Sequence, residues 1–132
     1  ARRDGLGSTA AAVYCSRDAH YSVTRAVEML GFGTRNLRAI EIDEHRRMRP
    51  DALEDAIRRD RAAGVVPVAV VATAGTTATG AVDPIDDIAR ICAEHSVWLH
   101  VDGAYGLPAA AVRPALFRGI DRADSLSVDA HK

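Results

Sequence analysis

The sequence predicts an α/β fold, a mostly parallel sheet with crossover helices. Short β-rich runs alternate with helical patterns along the chain, which is the signature of that architecture. The most apolar run, Val65-Val66-Pro67-Val68-Ala69-Val70-Val71-Ala72-Thr73, is continuous rather than alternating, as expected of a strand buried on both faces. Small and hydroxyl-bearing residues cluster where that strand meets its loop, Ala74-Gly75-Thr76-Thr77-Ala78-Thr79-Gly80, and open parallel sheets bind ligands at those carboxyl ends.

The first residues read as the tail of a helix running into a Gly5-Leu6-Gly7-Ser8 loop. A strand is predicted over 13–16, then a helix over 20–30, where Val23, Ala26, Val27 and Leu30 recur at helical spacing and Gly31 ends the pattern. A second strand is predicted over 37–42. Pro50 opens a helix whose Leu53, Ala56 and Ile57 share one face while Glu54, Asp55, Arg58, Arg59 and Asp60 suit water, and Gly64 is its stop. Pro67 stands at the entrance of the apolar strand, where a missing amide does least harm. Asp83 and Pro84 are expected to cap and open a helix carrying Ile85, Ile88, Ala89, Ile91 and Cys92; a strand over 97–101 then delivers Asp102 to the rim that holds the threonine loop. A last strand over 125–128 brings Asp129, His131 and Lys132 toward that rim, with its neighbours in the sheet left open. No internal repeat, low-complexity tract or interdomain linker interrupts the pattern.

At 132 residues, 14.1 kDa and 48% hydrophobic, the chain fills one small domain with a modest core and no more than one. Its 17 basic residues are scattered among 18 acidic ones, which argues against a nucleic-acid or membrane-surface partner. Cys15 and Cys92 match neither a disulfide framework nor a zinc site and read as buried thiols in a reducing compartment. No apolar stretch approaches the length of a membrane span, and Ala1-Arg2-Arg3-Asp4-Gly5 lacks the apolar core of a secretory signal, so the cytoplasm is the expected compartment. Both ends fall inside structured patterns rather than in linkers, so residues 1–132 are expected to be part of a larger domain, truncated at both ends.

Two groups point to a chemistry. Asp102 ends the strand of Trp98-Leu99-His100-Val101-Asp102-Gly103-Ala104-Tyr105-Gly106, and Lys132 lies just past the strand of Asp124-Ser125-Leu126-Ser127-Val128-Asp129-Ala130-His131-Lys132. Pyridoxal phosphate needs such a pair: a lysine for a Schiff base with its aldehyde, and an acid that keeps its ring nitrogen protonated so that the ring accepts electrons. A lysine amine reacts only when some of it is uncharged, a state that burial or a neighbouring cation favours, and His131 adjoins Lys132.

Taken singly, each candidate has a structural reading. His20 could simply begin a helix with its ring bonded to backbone; Thr76, Thr77 and Thr79 could be ordinary loop hydroxyls; Asp102 before Gly103 could be a turn residue. A metal at His100 and Asp102 lacks a third ligand nearby, so no metal is expected, and a Ser-His-Asp triad lacks its nucleophile turn. Order and spacing as a set decide against the separate readings.

That set comprises His20-Tyr21-Ser22-Val23-Thr24-Arg25-Ala26, Thr73-Ala74-Gly75-Thr76-Thr77-Ala78-Thr79-Gly80-Ala81-Val82-Asp83-Pro84, the Trp98 segment and the segment ending His131-Lys132. Over nearly the whole chain it resembles the group II pyridoxal-phosphate-dependent amino-acid decarboxylases, the family of aromatic-L-amino-acid and glutamate decarboxylases. The resemblance implies part of the large domain of a fold-type I, aspartate aminotransferase-like enzyme, homodimeric when whole, that converts an L-amino acid to an amine and carbon dioxide. It implies that Lys132 forms the Schiff base, Asp102 pairs with the pyridinium nitrogen and His20 stacks on the cofactor ring. It further implies that Thr77 contacts the cofactor, Ala104 packs on the opposite ring face and His131 lies near the phosphate.

Asp129 stands where the animal aromatic decarboxylases have an asparagine at the phosphate. An ionised aspartate there is repelled unless it turns away, offers only its backbone or holds a proton. A glycine-rich phosphate loop upstream of Ala1 and a tryptophan after the lysine are also implied, so the 132 residues alone are expected to bind cofactor poorly or not at all. A related pyridoxal-phosphate reaction, such as carbon–carbon lysis or aldehyde formation, and an inactive fragment remain as alternatives, and aromatic, acidic and diamino acids all remain open as substrates.

Overall fold

A computed structural model describes residues 4, 5 and 10–132; the predicted helix tail and most of the Gly-Leu-Gly-Ser loop lie outside the described residues. The β-rich runs form strands β1 (Ala11–Ser16), β2 (Leu37–Ile40), β3 (Val66–Thr73), β4 (Trp98–Asp102) and β5 (Ser125–Ser127). The helical patterns form α1 (Tyr21–Met29), α2 (Pro50–Ala62) and α3 (Ile85–Glu94), each a crossover between successive strands. Short 3₁₀ turns over Leu107–Ala111, Pro114–Phe117 and Ile120–Arg122, which no periodicity announced, connect β4 to β5. The strands pair in the order β2-β1-β3-β4-β5, all parallel. Because β2 lies on one side of β1 and β3 on the other, the crossovers diverge at the carboxyl ends of β1 and β3, which opens a crevice there. No helix among the described residues is long and apolar enough to cross a membrane.

Alternation along the strands sorts the two faces. Ala12, Tyr14, Val70, Ala72, Leu99 and Val101 pack with Leu53 and Ile57 of α2 and Ile85, Ile88 and Ile91 of α3 into the core. The other face departs from expectation: Val68, Ala69 and Val71 of β3 are only half-buried, so the continuous apolar run is fully covered on one side alone. Helix α1 lies against this second face without filling it. Of its predicted apolar stripe only Val27 is buried, while Ala26 and Leu30 are exposed along a cavity wall. Pro67, on a central strand, is accommodated by a register shift: Ala12 pairs with Pro67 but Val13 with Ala69, so Val68 is the extra residue where a ladder donor is missing.

Three local expectations are corrected. The strand after α1 ends at Ile40; Ile42 instead forms an isolated antiparallel bridge with Met48, because the chain reverses in a turn where Asp43 Oδ1 accepts the amides of His45 and Arg47, both at 2.9 Å. Asp60 does not face water: its half-buried carboxylate accepts Tyr14 OH at 2.8 Å and the Arg38 guanidinium at 3.0 Å, fastening the end of α2 across β1 and β2. Asp83 does not cap α3, which starts at Ile85 after Pro84 with no side-chain cap. Its carboxylate is buried and accepts Met48 N at 2.7 Å and Thr73 N at 2.8 Å, while its own amide donates to Thr73 O at 2.9 Å. The end of β3, the 42–48 turn and the start of α3 are thereby held by one side chain.

The loops after β3 and β4 meet backbone to backbone. Gly75 has φ +101°, and a Cβ added to Gly106 would stand 2.4 Å from Ala74 O and 2.8 Å from Gly75 Cα. This contact holds the threonine loop beside the segment that succeeds Asp102.

Both contacts can be tested through stability. Gly106→Ala should lower it by about 1–3 kcal/mol in thermal unfolding, since the added methyl forces the two loops apart. Burial pushes the Asp83 carboxyl up to about 6, against the opposing pull of the Met48 and Thr73 amides. A carboxyl raised above its unfolded value favours folding below pH ~4, and that contribution is lost as pH rises through about 6. Urea denaturation between those pH values should show wild type losing up to roughly 3 kcal/mol relative to Asp83→Asn.

Candidate active site

A cavity of about 760 Å³ occupies the crevice at the carboxyl ends of the strands, between α1 and the half-covered sheet face. His20, Thr77, Asp102, Ala104 and Lys132 all line it, together with Thr73, His100, Tyr105 and Ser127. Asp129 and His131 do not. Its size is that of an ordinary small-molecule or cofactor pocket.

Asp102 is the last residue of β4, and strand alternation turns it to the cavity side with His100. Its Oδ1 accepts Ala104 N at 3.2 Å and Ser127 Oγ at 3.1 Å. The turn-residue reading is thus met through Oδ1, and the same side chain lines the cavity. One rung below, Ser125 Oγ lies 2.9 Å from His100 Nδ1 and accepts Trp98 Nε1–H at 2.9 Å. The in-register pairs His100 with Ser125 and Asp102 with Ser127 account for both contacts. Among the described residues no group of three His, Cys, Asp or Glu side chains could hold a metal ion.

His20 also does two things. It is the N-cap of α1: its Nδ1 accepts Ser22 N at 3.3 Å and lies 2.8 Å from Ser22 Oγ, and its ring stands 4.5 Å from that of Tyr21. An Nδ1 that accepts is unprotonated, which leaves Nε2 as the edge that carries the ring proton. In the threonine loop the work divides. Thr76 is buried, with its Oγ1 2.7 Å from Thr79 Oγ1 and accepting Ala81 N at 3.2 Å, so these two are loop-building hydroxyls. Thr77 is exposed to the cavity and has no side-chain hydrogen bond among the described residues.

Lys132 is half-exposed, with Nζ 3.8 Å from Asp129 Oδ2. Asp129 Oδ1 accepts His131 N at 2.8 Å, so this carboxylate is turned into its own turn and toward the lysine. The two cysteines are buried and free, and burial pushes Cys15 up to about 11 and Cys92 to about 12, which keeps both as inert thiols.

Sequence reasoning missed Ser127 and Thr73 and weighed His100 only as a metal ligand. The His-x-Asp and Ser-x-Ser spacings were visible, but only the β4–β5 register shows that they face each other. Thr73 Oγ1 is a buried hydroxyl with no partner among the described residues, on the wall of the cavity. An acid, an amine, an aromatic ring, a small side chain and hydroxyls without a partner among the described residues, around one cavity, fit pyridoxal phosphate: opposed charges for its nitrogen and aldehyde, and polar groups awaiting a partner.

The family model described as the pyridoxal-dependent decarboxylase conserved domain matches residues 8–132. Aromatic-L-amino-acid decarboxylase of Bacillus atrophaeus is 47% identical over 124 residues, covering 92% of this chain and 26% of the relative. Cysteine sulfinic acid decarboxylase of Rattus norvegicus is 44% identical over 123 residues, 92% of this chain and 25% of the relative. The crystal structure of mouse CSAD superposes with a TM-score of 0.90 at 43% identity, over 92% of this chain and 26% of that one. The chain thus spans about a quarter of the length of these relatives. On the match of motif, fold and cavity together, the chain belongs to the pyridoxal-dependent decarboxylase family, whose cofactor is pyridoxal 5'-phosphate.

Proposed function

We propose that this chain forms part of the large, cofactor-binding domain of an enzyme that decarboxylates an L-amino acid to an amine and carbon dioxide. The observation that carries the reading is the convergence of Asp102, from the end of β4, and Lys132, from the turn after β5, on one cavity with His20, Thr77 and Ala104. When bound, pyridoxal phosphate supplies a conjugated ring that takes up the electron pair left at the substrate's α-carbon.

The residues divide the remaining tasks. Lys132 would offer the amine that holds the cofactor's aldehyde. Asp102 keeps a proton on the ring nitrogen by presenting a carboxylate to it. His20, fixed by its own helix cap, and Ala104 would bound the cofactor ring, and Thr77 would give the cofactor a hydroxyl. Asp129 holds the turn that carries Lys132 and supplies its counter-charge, while the exposed His131 is assigned to the phosphate end. The whole enzyme is read as a homodimer acting on a free amino acid, and the near-neutral charge of the chain, −1, supports the small-molecule partner.

The test uses the whole protein: its visible absorption after addition of pyridoxal phosphate, in wild type and Lys132→Ala, then carbon dioxide release from a panel of amino acids. The expected result is a band lost in the variant, and carbon dioxide from one substrate class. A band without carbon dioxide would move the protein to another pyridoxal-phosphate reaction, and no band in either protein would overturn the cofactor site. Asp102→Asn should keep the band and lower carbon dioxide release at least about a hundredfold, because the ring nitrogen loses its charge partner.

A further inference from the structure

We propose that Ser127 is the positioning residue that aims Asp102 at the cofactor's ring nitrogen. The inference rests on the proposed cofactor site and adds to it a residue that acts through Asp102.

Parallel pairing sets Ser127 directly opposite Asp102 across the β4–β5 ladder. An ionised carboxylate only accepts, so the 3.1 Å contact is a hydrogen bond donated by Ser127 Oγ to Asp102 Oδ1. Ala104 N donates to the same oxygen at 3.2 Å. Asp102 Oδ2 has no partner among the described residues although the side chain lines the cavity. Two donors on one oxygen fix the rotation of the carboxylate and leave the other oxygen to the ligand.

Ser127 grips the same turn a second time. Its carbonyl accepts Gly103 N at 3.1 Å, and a Cβ on Gly103 would stand 2.9 Å from that carbonyl oxygen. The backbone after Asp102 is therefore held against β5 independently of the hydroxyl. Removing the hydroxyl alone should leave the carboxylate held by Ala104 N only, without releasing the turn. The rung below, Ser125 with His100 and Trp98, repeats the arrangement without touching Asp102.

The experiment is a titration of the apo form of the whole protein with pyridoxal phosphate, monitored by its visible band, which reads cofactor affinity rather than turnover. Ser127→Ala should weaken affinity about tenfold, the scale of a lost hydrogen bond to a charged group. Ser127→Thr should retain affinity and Ser127→Val should lose it; these two have the same shape and differ only in the hydroxyl, so they decide the question even if the alanine variant folds poorly. In an Asp102→Asn background, Ser127→Val should cost no more than Ser127→Thr, and Ser125→Ala should leave affinity unchanged in the wild-type background. Equal affinity for the threonine and valine variants would overturn the proposal, as would an undiminished difference between them when Asp102 is already Asn. No cofactor band in the wild-type protein would instead overturn the cofactor site on which the proposal rests.

Discussion

Parallel pairing of β3 with β1 on one side and β4 on the other is the constraint that gathers the site. Parallel strands cannot be joined by tight turns, so each connection crosses over the sheet and returns, and every strand delivers its carboxyl end to the same edge. Residues far apart in sequence, such as His20 after β1, Thr77 after β3, Asp102 at the end of β4 and Lys132 after β5, are thereby collected on one rim. The crevice at the β1–β3 switch point supplies the space between them. Asp83 closes the arrangement from behind by satisfying the amides of Thr73 and Met48 within the fold.

Several residues of this rim satisfy the backbone and face the cavity at once. His20 caps α1 through Nδ1 and lines the cavity; Asp102 accepts a turn amide on Oδ1 and leaves Oδ2 without a partner among the described residues. Such economy has a physical origin. A side chain that must hold one orientation against a ligand is best held by hydrogen bonds to groups that are themselves immobile, and the backbone of a strand end or a first helical turn is the least mobile group available. At these positions the backbone contact and the cavity-facing part belong to one side chain, so the structural reading of each residue leaves room for the proposed one.

The half-covered face of the sheet has the same logic. Val71 and Ala69 share their side of β3 with the buried Thr73, and α1 stands off from them far enough to leave the cavity. An apolar stripe on a helix then lines a pocket wall, and the Thr73 hydroxyl, without a partner among the described residues, sits on the sheet side of that pocket. The chain covers only about a quarter of its relatives' length, and one complete sheet face against α2 and α3 is what its own residues bury.

Periodicity was sufficient to locate the strands and the three helices, because runs of Val, Ile and Ala with the right spacing, bounded by Gly31, Pro50 and Gly64, leave little freedom in local conformation. The motif order likewise announced Lys132, Asp102, His20 and Thr77 as a set. Asp83 before Pro84 reads as a cap from local sequence; it became a buried strut because β3 and the 42–48 turn, distant in sequence, brought two unsatisfied amides to it. Asp60 was drawn inward by Tyr14 and Arg38 in the same way. The sequence by itself determined the fold class, the elements and the chemical types at the rim, since these depend on local propensity and on residue identity. Tertiary structure alone decided strand order, the β4–β5 register and hence Ser127's hold on Asp102, because a hydrogen bond between strands depends on a pairing that neither strand encodes on its own.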